Sequence, residues 1–179
     1  VALDDSVLSI DSVRLIMPGG DYLEYPGNCR LEKRHFRDCW PHPERPLTFW
    51  LALRRFDPRH RNVTLPEKDD DRVDTRWLSI GEAPVMKDIY DHAPDASVTR
   101  LYYNARLLTD SEIEGAVDCE VLPLLRLRHD GESVIIDPTF SPPVIALKGS
   151  PVLEQLIENI YFEISARTRK LEEYKRAER

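Results

Sequence analysis

One junction constrains this chain more than any other stretch. Up to Ile136 the residues fall into short apolar–polar alternations, and beyond Gly149 the apolar residues step by four and three. Between them lies Asp137-Pro138-Thr139-Phe140-Ser141-Pro142-Pro143-Val144, too rich in proline for a central strand or a helix, followed by the short strand-like Ile145-Ala146-Leu147. Ser150 is a good N-cap, because its hydroxyl can accept a first-turn N–H. Pro151 suits the first helical position, where its missing N–H leaves nothing unpaired. Apolar residues then recur at Leu153, Ile157, Ile160 and Ile164, and again at Leu171 and Tyr174, with Arg167 breaking the series. That spacing is the heptad seam of a coiled coil or bundle, and isoleucine at both seam positions favours three or four strands over two. These six apolar residues are the candidate interface between copies of the helix.

The far end of the helix carries no stop signal. From Arg167 to Arg179 nearly every residue off the seam is charged, and no Gly, Asn or Pro interrupts it. A helix over 151–179 is about 43 Å long, more than a domain of this size needs to cover a sheet. The expectation is a projecting helix in a fragment excised from a longer protein, with which Val1 in place of an initiator methionine agrees.

Charge narrows the class of partner. The net charge of −7 resides entirely before residue 151, where 26 acidic residues stand against 19 basic ones. An acidic body disfavours a nucleic-acid groove, which needs concentrated positive charge. No apolar run approaches the length of a membrane span, so membrane insertion is not expected. Cys29, Cys39 and Cys119 are odd in number and form no disulfide framework, which points to a cytoplasmic setting.

Taken in order, Val7 to Met17 alternates loosely, turns at Pro18-Gly19-Gly20-Asp21 and returns through Tyr22 to Tyr25, a hairpin signal. Cys29 to Arg45 has no period and reads as a long loop or insertion. The clearest strand is Leu47 to Phe56, with Leu47, Phe49, Leu51 and Leu53 on one face. A charged connection at 67–72 leads to Val73, Thr75 and Trp77. Val98 to Leu108 alternates again, with Leu101, Tyr103, Ala105 and Leu107 together. Val117 to Leu127 is a strand interrupted by Pro123, which should mark an edge or a bulge, and Asp130-Gly131 turns it into Ser133 to Ile136. The resulting fold class is mainly β. An antiparallel β-sandwich over 1–149, with Leu47, Phe49, Leu51, Leu53, Leu101, Tyr103, Leu125 and Leu127 inward, precedes the start of a helical stalk over 150–179.

Motifs with a mechanism are scarce. Cys29, His35, Cys39 and His42 are spaced C-x5-H-x3-C-x2-H, which matches no common zinc arrangement. Asp69, Asp71 and Asp74 lack the glycine and glutamate of a calcium loop. There is no phosphate loop, no nucleophile elbow and no H-E-x-x-H. The basic cluster Arg30, Lys33, Arg34 and Arg37 reads as a solvated loop. Trp40, Trp50 and Trp77 suit a core or a subunit interface. No catalytic residue, metal or cofactor is expected.

The run Cys119-Glu120-Val121-Leu122-Pro123-Leu124-Leu125-Arg126-Leu127, the Asp130-Gly131 turn, the Asp137 to Val144 proline run and Gly149-Ser150-Pro151-Val152-Leu153 resemble the TssK family, also called ImpJ or VasE. These are baseplate subunits of the type VI secretion system. The Pro18-Gly19-Gly20 and Pro26-Gly27 turns also resemble the family's hairpin. Its opening W-x-E-G and P-Q-H-F-Q signature and its later stalk and head domains are absent here. The resemblance implies an N-terminal shell domain, similar to the shoulder of phage receptor-binding proteins, in a homotrimeric adaptor without chemistry. Such a protein docks beside TssF and TssG in the bacterial cytoplasm and reaches the inner-membrane complex through its C-terminal domain. A carbohydrate-binding or carbohydrate-active sandwich, with Trp50 and Trp77 as platform, is the alternative.

Overall fold

The computed structural model describes residues 1–4, 6–65, 74–81, 83–90 and 94–177. The whole charged connection at 67–72, Val73, and two of the three calcium-loop candidates, Asp69 and Asp71, lie outside them. In chain order the strands are β1 (Ala2–Asp4), β2 (Val7–Ser9), β3 (Val13–Ile16), β4 (Tyr22–Tyr25), β5 (Cys29–Arg30), β6 (Arg34–His35), β7 (Leu47–Arg54) and β8 (Val63–Thr64). They continue with β9 (Trp77–Ser79), β10 (Val85–Met86), β11 (Ala96–Ser97), β12 (Leu101–Asn104), β13 (Arg106–Thr109), β14 (Cys119–Asp130) and β15 (Ser133–Ile136). The α-helices are α1 (Asp110–Ile113) and α2 (Pro151–Ala177).

The principal sheet is antiparallel, in the order β13-β7-β14-β15. Its register sets Leu51 of β7 between Leu107 and Leu122, and Phe49 between Thr109 and Leu125. Pro123 causes the expected irregularity: the pairing of β14 with β7 shifts between Pro123 and Leu125. On its other side β14 pairs with β15 only from Leu127 to Asp130, so Pro123 marks a bulge where β14 is paired with β7 alone. The Asp130-Gly131 turn follows, with Gly131 at φ +65°, a conformation that glycine reaches without a Cβ penalty.

A second sheet runs β5-β12-β9-β8. There β12 pairs antiparallel with β9, whereas β5–β12 and β8–β9 are parallel, so the body is β-rich as expected but not antiparallel throughout. The single alternation from Val98 to Leu108 proves to be two strands in two sheets. Ala105, buried between them, donates its N–H to Arg30 of β5, and the next residue, Arg106, pairs with Ala52 of β7. The chain thus turns a corner from one sheet to the other without losing its alternation.

Six of the eight residues expected inward (Leu47, Phe49, Leu51, Leu53, Leu125 and Leu127) are buried in one cluster. Tyr103 is half-buried against it, and Leu101 is 46% exposed because the core does not reach that end of β12. The segment expected to be a featureless loop, 29–45, is corrected more sharply. It contains β5, β6 and a 3-10 turn at Arg37–Cys39, and it contributes Cys29, Leu31, Phe36 and Trp40 to the core. Phe36 sits edge-on to both Trp40 and Phe49, which brings this segment onto the principal sheet.

A buried arginine ties the sheets to the hairpin of β3 and β4. Arg76, just before β9, is only 5% exposed; its guanidinium pairs with Asp21, lies 3.7 Å from Glu120 Oε1, and donates to the Arg54 carbonyl at 2.6 Å. It lies over the rings of Trp77 and Tyr103, at 5.1 and 5.6 Å. Tyr103 Oη donates to Asp21 at 2.9 Å, and the Gly19 N–H donates to Glu120 at 2.7 Å. A Cβ at Gly19 would meet that carboxylate at 2.6 Å, so a larger residue there would have to displace the Glu120 side chain. Burial alone would raise the pKa of Asp21, but the hydrogen bonds from Arg76 and Tyr103 outweigh it and hold the carboxyl below its ordinary value.

Candidate interaction surface

The proline-rich junction is a clamp. Asp137, nearly buried, accepts the Thr139 N–H at 2.9 Å and the Thr139 hydroxyl at 2.7 Å, and its own N–H donates to the Arg126 carbonyl at 2.7 Å. The Thr139 N–H holds the Asp137 carboxyl below its ordinary pKa, against the effect of burial. Phe140 then packs under the Arg126 guanidinium, 4.6 Å from its ring centroid. At the far end Ser150 is buried; its hydroxyl meets that of Ser141 at 2.7 Å and faces the Leu153 N–H at 3.4 Å, while its carbonyl takes the Glu154 N–H at 3.0 Å. The helix therefore begins at the expected residue, and its first turn is tied to the junction.

Only that first turn is covered. Val152 and Leu153 are half-buried, and from there the seam lies open: Ile157 is 45% exposed, Ile164 60%, Leu171 63% and Tyr174 71%. Ile160 is exposed as well. At about 100° per residue these positions share one face, and two further exposed residues, Leu156 and Tyr161, flank it on either side. The first half of α2 thus presents a contiguous apolar arc of roughly 140°. Periodicity at strict seam positions overlooked Leu156 and Tyr161; allowing the flanking positions of the heptad would have found them. Phe162 is exposed on another side of the helix, against Tyr161.

The remaining candidates are engaged elsewhere. Cys29 is buried, with burial pushing its thiol up to about 11, and Cys39 Sγ accepts from Arg34 at 3.3 Å. Among the described residues no group of three His, Cys, Asp or Glu is placed to hold a metal ion. Arg34 pairs at 2.5 Å with Glu112, and Arg30 at 2.7 Å with Glu32. Glu112 in turn accepts the Thr109 N–H, closing a capping box on α1 that the T-x-x-E spacing encodes and the sequence reading passed over. Trp40 Nε1 donates to the Arg45 carbonyl and Trp50 Nε1 to Asp110, while Trp77 sits between Phe56 and Tyr103. Trp50 and Trp77 lie in different sheets, an arrangement that lends the carbohydrate-platform alternative no support. No helix among the described residues is long and apolar enough to cross a membrane.

Solved structures share this architecture. A TssK–TssF–TssG baseplate subcomplex of the type VI secretion system, solved by cryo-electron microscopy, matches 93% of the chain at a TM-score of 0.73 and 20% identity. A crystal structure of TssK matches 94% at 0.74 and 16% identity, and TssK from EAEC in complex with a nanobody matches 93% at 0.69 and 18%. The chain spans between 37% and 53% of the length of these relatives. No curated protein sequence matches it. The family model described as "Bacterial Type VI secretion, VC_A0110, EvfL, ImpJ, VasE" matches residues 1–179, and the chain belongs to that family.

Proposed function

We propose that this chain is a structural, non-catalytic part of a type VI secretion baseplate. The β-body (1–149) is a shell domain that docks on baseplate proteins of the TssF and TssG type, and the helix from residue 150 begins a stalk that assembles three copies. The observation that carries this is the open seam of α2, anchored at one end by the Asp137–Ser150 clamp and bare from Ile157 onward on a chain of the VasE family. Leaving isoleucines exposed in a repeating stripe costs solubility with no folding gain unless another helix covers them. Three copies fit isoleucine at both seam positions. In this reading the protein works in the cytoplasm and links the baseplate to the inner-membrane complex through a further domain, as a TssK-type adaptor.

Co-expression of the chain with proteins of the TssF and TssG type tests the docking half. Retention of both on the tagged chain, and on a variant with Ile157→Asp and Ile164→Asp, is expected if the body is the docking element. Failure of both to be retained by either protein would remove the docking reading.

A further inference from the structure

We propose that the loop leaving β7, with Arg55, Arg59 and Arg61 around the exposed ring of Phe56, is a docking site for an acidic segment of a partner polypeptide. The inference rests on the baseplate-docking reading for who the partner is, whereas its chemistry comes from the loop.

The loop is basic on an acidic body. Residues 54–61 hold four arginines and one acid, Asp57, while the body as a whole carries the net charge of −7. Arg54 is neutralised, because it pairs with Asp74 at 2.8 Å and with Asp118 at 3.0 Å. Asp57 is taken by His60, whose Nδ1 lies 2.6 Å from its Oδ2. Arg55, Arg59 and Arg61 are exposed, and no carboxylate among the described residues pairs with any of them. No other seven consecutive described residues of the body hold three such bases. Like charges gathered without a counter-charge repel one another, and an anionic ligand offsets that repulsion.

The loop is also held in shape before any ligand arrives. The Asn62 side chain accepts the Asp57 N–H at 2.9 Å and donates to the Asp57 and His60 carbonyls at 2.6 and 2.9 Å. The Asp57 carboxylate accepts the Arg59 N–H at 2.8 Å, and the Asn62 carbonyl accepts the Trp77 N–H at 2.9 Å, which fastens the loop to β9. Arg61 Nε donates to the Val63 carbonyl at 2.7 Å, so its guanidinium is already oriented. A loop ordered in advance loses less freedom on binding.

Phe56 supplies the apolar part. Its ring is 59% exposed and stands 6.1 Å from that of Trp77, which in turn stands 5.9 Å from that of Tyr103. The exposed ring is thus backed by a row of aromatics that runs into the body. Planar guanidinium groups suit carboxylates, which they can grip with two hydrogen bonds each. A segment with Asp or Glu on both sides of an apolar residue would satisfy the arginines and cover Phe56. A nucleic acid fits less well, since its phosphates continue past three arginines onto an acidic body and the loop offers one ring for stacking.

The test uses two labelled synthetic peptides, alike except that one carries Glu and the other Gln on both sides of a central phenylalanine. In fluorescence anisotropy with the whole chain at low salt, the Glu peptide should bind at least about tenfold tighter, with the gap closing as salt rises. The variant R55E/R59E/R61E should abolish that preference. R55Q/R59Q/R61Q, which adds no acid, should show the same loss at an unchanged urea midpoint. K33E/R37E/R45E, which makes the same change in net charge as the first variant elsewhere in the body, should keep the preference. Co-expression separates this inference from the reading it rests on. If proteins of the TssF and TssG type are not retained while the peptide preference follows this pattern, the docking reading fails and the acidic-segment site stands. If they are retained while the chain binds both peptides equally, the docking reading stands and this inference fails. Loss of the preference in K33E/R37E/R45E, or tighter binding of a single-stranded oligonucleotide than of the Glu peptide, would also overturn it. So would a gain of at least about tenfold for the Glu peptide in D69N/D70N/D71N, because it would assign the loop to the chain's own acidic run.

Discussion

Replacing Arg76 with methionine removes the charge at the centre of the body while keeping a stem that can rest on Trp77 and Tyr103. Breaking a fully buried charge pair costs about 3–5 kcal/mol, because the orphaned carboxylate stays desolvated. Here the Asp21 and Glu120 side chains retain 23% and 15% exposure, so water recovers part of that loss. The two contacts over aromatic rings contribute about 1 kcal/mol between them. A total of about 3 kcal/mol follows, which at a urea slope near 2 kcal/mol/M lowers the midpoint by about 1.5 M. Asp21→Asn alone should cost about 1–2 kcal/mol, since Tyr103 keeps a hydrogen-bonding partner. Because both changes break the same pair, the double variant should cost at least about 1 kcal/mol less than their sum. Urea denaturation of the four proteins measures all of this. A loss under about 1 kcal/mol for Arg76→Met, or additivity within about 0.5 kcal/mol, would show that the arginine is a bystander.

Leu51→Ala truncates a side chain 1% exposed in the centre of the principal sheet and should cost about 2–5 kcal/mol by the same assay; under 0.5 kcal/mol would contradict the assigned core. Stability should also depend on acid. Asp21, Glu112 and Asp137 all have folded-state pKa values below their ordinary ones, so the stability they contribute is present above the ordinary carboxylate range and is lost as pH falls below about 4. Urea midpoints from pH 7 to pH 3 should be flat and then drop, and Asp137→Asn should lessen the drop; a drop beginning near pH 6 would point to histidine instead.

The helix was legible because its signals are local. Ser150, Pro151 and the four–three spacing lie within a few turns of one another, and α2 begins at the residue they indicate. The principal sheet was legible for a similar reason, since Leu47, Phe49, Leu51 and Leu53 alternate without interruption and Leu125 and Leu127 resume the pattern after Pro123. Contacts distant in sequence were hidden. The pairing of Arg76 with Asp21 joins residues 55 apart, and nothing around Arg76 distinguishes it from a solvated base. The corner at Ala105 escaped because alternation survives a change of sheet. Segment 29–45 looked aperiodic because its core residues, Cys29, Leu31, Phe36 and Trp40, lie in or beside elements only two or three residues long, too short to show a period.

The open seam is most directly tested by the mass of the whole chain in solution. Size-exclusion chromatography with light scattering should give about three times the 20.8 kDa of one chain at high protein concentration, and one chain mass for the variant carrying Ile157→Asp and Ile164→Asp. A wild-type chain that stays monomeric at that concentration, or a variant that remains trimeric, would contradict the assignment of this seam to self-association.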